Sequence, residues 1–442
     1  MIQTIRNAFT IPDLRKKILY TILIVFIFRI GTAIPVPFID AQALKDMMET
    51  VTNEGDTGNI ISYLNMLSGR AFENATIFAM GIGPYITAQI IIQLLTVAIP
   101  PLEKLAKEGA EGRKKLNNII RATTIGLGVF QGSMYYLMLK SNAGVVFTYD
   151  SKWVNTFVTV FIITCFCAGT ALVMWLGEQI NKKGIGNGIS ILLFTGIVAS
   201  GPKVFNQLRV WWLLAREGST GYYFAIPGLT IGFLLIIWFI VFMQNSERKV
   251  PVQYAKQIKG RKMIGGQKTF IPIKVNMSGV MPIIFASTII SVPATVKMLA
   301  FRGKSYPNSF WYKVWSIFDS NSLLYAFIYF LLIIAFAYFY VTIQYNPIEI
   351  ANNLHKNNGA IPGIRPGKNT IAYLSKIINR ITLIGALFLS VIAVLPIVIS
   401  SFTNINISFG GTSILILVGV ALETVSQIES QMLMRHYKGF LD

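Results

Sequence analysis

Ile77-Phe-Ala-Met-Gly-Ile-Gly-Pro-Tyr-Ile-Thr-Ala-Gln-Ile-Ile-Ile-Gln93 carries no charge, and its neighbours extend the uncharged run over 75–99. A run of that length suits hydrocarbon, because about 20 residues of helix cross a bilayer core roughly 30 Å thick. Ile82 and Ile86 are four apart, so a helix puts them on one face. Gln89 and Gln93 repeat the spacing on another face. Polar side chains at that depth need partners on a neighbouring helix, either as ordinary glue between helices or as part of a functional surface.

Nine more apolar blocks surround this one, near 18–38, 117–139, 153–177, 185–201, 222–243, 277–296, 322–343, 377–400 and 409–432. The chain is 53% apolar and only 13% charged, about half the charge of a soluble protein. No barrel alternation is visible, so every span is expected to be helical. The fold class read from the pattern is an all-α polytopic membrane protein with ten transmembrane helices. The block at 185–201 is short and flanked by Gly184, Gly186 and Gly188. The last is apolar to Leu422 and then polar, so its end should project into water. Arg15, Lys16 and Lys17 precede the first run, which continues to Pro35 without a small-residue cleavage site. It reads as a retained helix and not as a signal peptide. Five spans in 1–201 and five in 202–442 give halves with odd counts, which if related are inverted in the membrane; no repeat is visible residue by residue.

The formal charge is +20. Taking the N-terminus as cytoplasmic puts 27 of the 39 Lys and Arg residues on the inner side. The first outer loop carries Asp40, Asp46, Glu49, Glu54 and Asp56 against Lys45. The positive-inside bias therefore places both termini in the cytoplasm, with the basic loops facing anionic phospholipid. Two inner loops, 245–275 and 346–376, are long and basic and are expected to be docking surfaces.

No enzyme motif survives. Gly303-Lys304-Ser305 ends like a phosphate loop, but Met298 stands where the upstream glycine is required. Cys165 and Cys167 lie within an apolar block, and His355 and His436 are far apart. Neither a disulfide framework nor a metal site is expected, and no cofactor is implied. Arg29 is the exception to an almost uncharged midplane, either snorkelling outward or meeting a polar partner inside the bundle. Residues 59–74 place Ile60, Tyr63, Leu64 and Leu67 at helical spacing but are too short to span. Periodicity alone makes them an interfacial helix, with a re-entrant segment as the alternative.

Several strings, in order along nearly the whole chain, resemble the SecY family. They are Phe28-Arg-Ile-Gly31 with Ile34-Pro-Val-Pro37, then Ile77 to Thr96, then Gly177-Glu-Gln-Ile180 with Gly184-Ile-Gly-Asn-Gly-Ile-Ser190. Lys274-Val-Asn-Met-Ser-Gly-Val-Met-Pro282, Pro362-Gly-Ile-Arg-Pro-Gly367 and Phe409-Gly-Gly-Thr-Ser413 complete the set. The resemblance implies a protein-conducting channel whose two five-helix halves surround a central pore, in the inner membrane of a bacterium. Carried over position by position, it implies a constriction of Ile82, Ile86, Ile189, Leu193, Ile284 and Ile416. Leu193 stands where the family pattern has isoleucine. A ring of branched aliphatics wets poorly and so seals.

The same resemblance turns 59–72 into a plug, with Ile60, Tyr63, Leu64, Leu67, Ser68, Gly69 and Arg70. It makes Gln93, Thr96, Ser287 and Thr288 parts of a lateral gate through which signal sequences reach lipid. It implies small partner subunits SecE and SecG. The SecA ATPase or the ribosome would dock on Lys256, Lys259, Arg261, Lys262 and Arg365, and nascent or preprotein chains would pass through the pore. The competing reading is a secondary transporter for a small solute; the scarcity of ionisable residues at the midplane speaks against it.

Overall fold

The computed structural model describes residues 2–53, 65, 68–141, 144–216, 221–254, 256–259, 262–265, 268–300, 323–403 and 411–438. Each of the ten apolar blocks carries a helix. After a short N-terminal helix α1 (Ile2–Thr10) come α2 (Pro12–Gly31), α3 (Ala41–Asn53), α4 (Gly83–Ala98), α5 (Pro100–Lys107) and α6 (Ala110–Ser141). Then follow α7 (Lys152–Lys183), α8 (Gly188–Ala199), α9 (Gly201–Arg216) and α10 (Gly221–Asn245). The second half adds α11 (Met281–Ala300), α12 (Leu323–Gln344), α13 (Pro347–Lys356), α14 (Lys368–Thr403) and α15 (Gly411–Lys438).

Among the described residues, five helices are long and apolar enough to cross a membrane by themselves, or six if the bent pair α4–α5 is one span. The apolar helix α8 is shorter, with 12 residues. The outward faces explain the sequence's hydrophobicity. Leu19, Ile22, Leu23 and Phe26 on α2 and Leu234, Leu235, Trp238 and Phe242 on α10 are all exposed. A soluble protein would not leave patches of this size bare, whereas lipid is a good solvent for them. Helix α14 runs for 36 residues, about 54 Å. Helix α15 continues through the polar stretch beyond Leu422.

Two regions depart from the sequence reading. The block 75–99 is not one helix. Residues 69–82 are a series of turns, and regular helix begins only at Gly83, where Pro84 fills an early position of the first turn. Gly81 has φ 53°, which breaks the pattern of Ile77, Phe78 and Ala79 before it can become a turn of helix. At the other end Ile99-Pro100-Pro101 bends the chain by 103° into α5, because a proline deprives the helix of a donor and crowds the preceding turn.

The loop 245–275 is the second departure. It forms β1 (Glu247–Tyr254), β2 (Lys256–Lys259), β3 (Lys262–Gly265) and β4 (Lys268–Lys274), and the loop 346–376 adds β5 (Gly359–Ala360). An all-α description therefore misses a small sheet ordered β4-β1-β5. Strand β1 pairs antiparallel with β4, Val252 facing Thr269, and with β5, Gln253 facing Ala360. Val250 and Val252 alternate inward and are buried with Ile273, Leu354, Ile361 and Ile378. The two basic loops are thus one folded unit with its own apolar core.

A candidate pore and its seal

Four helices bring the six residues expected to form a constriction into one apolar cluster. Ile82 caps the N-terminus of α4, and the Ile86 amide donates to the Ile82 carbonyl at 3.1 Å, so the two stack one turn apart. Ile189 and Leu193 lie one turn apart on α8, whose start is fixed by Asn187, its side chain accepting from the Ile189 amide. Ile284 comes from α11 and Ile416 from α15. Ile82, Ile86, Leu193, Ile284 and Ile416 are buried in one continuous cluster, with Ile189 packed against it. Residues from both halves of the chain meet there. The cluster is larger than the six, since it also takes in Phe28, Phe78, Ile191, Phe285 and Leu415.

Of the expected plug, Ile60, Tyr63, Leu64 and Leu67 lie outside the described residues. Its root is described and is a tight knot of turns. Asn65 closes it: its carbonyl accepts from the Arg70 amide at 2.8 Å, and its side-chain oxygen accepts from the Glu73 amide at 2.7 Å. Ser68 is buried, with its hydroxyl accepting from the Phe72 amide at 3.0 Å. Gly69 and Arg70 both have positive φ, 66° and 73°. Arg70 pairs with Glu73 at 3.8 Å.

Two long-range bonds hold the knot to the bundle: Arg29 Nη1 donates to the Gly69 carbonyl at 3.2 Å, and the buried Tyr135 hydroxyl donates to the Phe72 carbonyl at 2.6 Å. Arg29 has therefore found a polar partner, one of its two expected fates. The run of turns that follows presses on α7 at Gly169, where a Cβ would clash with the Ile77 carbonyl oxygen.

Helices α4 and α11, which carry the expected gate residues, pack against each other. Thr96 donates to the Gln93 carbonyl at 2.7 Å, and Ser287 and Thr288 donate to the Ile284 carbonyl at 2.9 and 2.7 Å. These hydroxyls engage their own helices, which removes the cost of a bare donor in an apolar seam. In the basic unit Lys256 and Lys259 lie on β2 and Lys262 on β3, with Lys259 opposite Lys262; Arg261 lies outside the described residues. Arg365 is exposed at a tip bounded by Gly363 and Gly367, both with positive φ. The Arg365 carbonyl accepts from Thr370 at 3.1 Å, fixing the return of the chain into α14.

Sequence reasoning marked Arg70 and Glu73 as flanking the end of the segment but missed Asn65 and Tyr135. It also missed the ion pair that ties α6 to α7, where Arg121 Nε donates to Glu178 Oε1 at 2.7 Å. No periodicity links residues 57 or 63 positions apart, so only the fold reveals them. Among the described residues no group of three His, Cys, Asp or Glu side chains could hold a metal ion.

A bundle of long apolar helices with a buried aliphatic cluster drawn from both ends of the sequence, together with a small basic folded unit, defines the class of multi-pass membrane proteins. The SecY family model matches residues 76–425. "Protein translocase subunit SecY" of Streptomyces scabiei is 43% identical over 451 residues, covering all of both chains. The structure is similar to one described as "The structure of a protein conducting channel", with a TM-score of 0.65, 17% identity, and 95% of this chain and 92% of that one covered. It is also similar to Sec61 in the canine ribosome-channel complex from the endoplasmic reticulum, with a TM-score of 0.61, 16% identity, and 95% and 92% covered. The chain belongs to the SecY family.

Proposed function

We propose that this chain is the pore subunit of a bacterial protein translocase, passing unfolded secretory polypeptides across the inner membrane and releasing transmembrane segments sideways into lipid. The observation that carries this is the convergence of Ile82, Ile86, Ile189, Leu193, Ile284 and Ile416 from four helices and both halves on one buried cluster, in a chain of this family. Such a ring resists wetting when closed and deforms around a passing chain. Residues 59–72 plug it from outside. The packed pair α4 and α11 is the lateral gate, with Gln93, Thr96, Ser287 and Thr288 along the seam. The halves 1–201 and 202–442 are inverted repeats, and both termini are cytoplasmic.

The basic unit built from β1 to β5 receives the SecA ATPase or the ribosome, with Lys256, Lys259, Arg261, Lys262 and Arg365 in contact. SecE and SecG complete the complex in anionic phospholipid. The solute-transporter alternative draws no support from the family match. The test is reconstitution of the chain with its small subunits in vesicles, adding SecA, ATP and a preprotein. ATP-dependent protection of the preprotein from external protease is expected. Stoichiometric uptake of a small solute without preprotein transport would overturn the reading.

A further inference from the structure

Irregular backbone at membrane depth leaves carbonyls that no helix satisfies, and they persist only where protein supplies donors. The plug root is such a place. Its turn is closed from within by Asn65, and two side chains from the bundle reach it. Tyr135 holds Phe72 in a fully buried setting, whereas Arg29 reaches Gly69 from an exposed position. The two bonds therefore differ in kind: one is a fixed anchor, and the other can be broken without opening the core.

The surroundings of Gly69 are closely fitted. A Cβ there would lie 3.2 Å from the Gly196 Cα on α8, 3.6 Å from Arg29 Nη1 and 3.7 Å from Phe28. Phe28 stacks on Phe78 at 5.8 Å, which fixes the helix face from which Arg29 extends. All three contacts of Gly69, Arg29 and Phe28 on α2 and Gly196 on α8, belong to the first half of the chain.

We propose that Arg29 is a positioning residue for the seal, latching the plug root to the first half through the Gly69 carbonyl. This rests on the reading of 59–72 as a plug. The latch is made in the sealed channel and lost when the plug leaves, with the chain pivoting between Gly69 and the Phe72 anchor. Because α2 and α8 pack against each other and both belong to residues 1–201, separation of the halves at α4 and α11 leaves the latch intact. Opening the gate and releasing the plug are then separate events, and the entering polypeptide must break the latch itself.

The test is ion flux through the purified complex in vesicles without preprotein, for Arg29→Met, for deletion of 59–72, for both together, and for Ile82→Gly with Ile86→Gly. Loss of one charge-assisted bond shifts a two-state equilibrium by roughly tenfold. Arg29→Met is expected to raise resting flux by about that factor, and to add nothing once 59–72 is deleted. If Arg29→Met prevents assembly, Arg29→Gln, shorter and uncharged, takes its place. Wild-type flux in the Arg29 variant while the Ile82 and Ile86 variant leaks would overturn the latch and leave the seal standing. An equal added leak in the deleted background would also overturn it, since Arg29 would then act on the bundle and not on the plug. No leak from any variant would sink both the latch and the seal.

Discussion

Ile82 and Ile86, the first part of the proposed constriction, closely follow the root of the proposed plug along the chain, and the two are built on opposite principles. The constriction is regular: Ile82 to Ile86 and Ile189 to Leu193 are single helical turns, and their positions follow from spacing. The plug root is irregular, with positive φ at Gly69, Arg70, Ala75 and Gly81 and side chains closing its hydrogen bonds. A helix satisfies its own backbone, so an apolar ring on helices needs only matching surfaces. Irregular backbone packed into the bundle depends on named partners, each of which is a point of failure.

The largest effect should come where the irregular run meets a helix. Gly169→Leu puts side-chain atoms where the Ile77 carbonyl stands, and backbone cannot step aside as a flexible side chain does. A cost of at least about 3 kcal/mol is expected, seen as loss of assembled complex on detergent extraction. Normal yield would mean that the 70–82 run is not held as described. The ring should behave differently. Ile82→Gly with Ile86→Gly removes packing as well as seal, because both side chains are buried. Some loss of thermal stability is expected, but the defining result is ion conductance without substrate. Poor assembly with unchanged conductance would make these residues ordinary core.

This contrast also explains what was legible in the sequence. The helices follow from blocks of apolar residues, because length and hydropathy are local properties. The turns at 69–82 carry their signals in plain view, Gly81 and Gly83-Pro84, yet glycine and proline are common inside membrane helices and do not by themselves end one. The alternation of Val250 and Val252 is equally visible, but two inward positions in a basic, proline-containing stretch do not by themselves mark a strand. The pairing of Gln253 with Ala360, and the bonds from Arg29 and Tyr135, join distant positions and leave no trace in spacing.

A smaller effect on the fold, with a larger one on transport, is expected at the docking tip. Arg365 is exposed and none of its side-chain atoms is needed by the sheet, whose register is set by backbone pairing. Arg365→Glu should leave complex yield unchanged and reduce SecA-driven preprotein transport in vesicles by tenfold or more, since charge reversal replaces attraction with repulsion across a contact (roughly 2 kcal/mol). Transport at the wild-type rate would remove Arg365 from the docking surface.

The smallest change sharpens the comparison most. Asn65 does for the plug root what a capping residue does for a helix: its side chain accepts from the Glu73 amide at 2.7 Å while its own amide group reaches Glu73 Oε2 at 3.3 Å. Asn65→Ala removes both bonds without adding bulk. Side-chain caps of this kind contribute about 1 kcal/mol, and the Glu73 amide would lose its acceptor in a partly buried site. A fall of one or two degrees in melting temperature is expected for a chain of this size, with resting ion flux raised a few-fold because the knot carries the plug. If the ring alone sealed the pore, the melting temperature would fall and the flux would stay at the wild-type level. That outcome would place all of the barrier in the regular helices and leave the irregular root a purely structural turn.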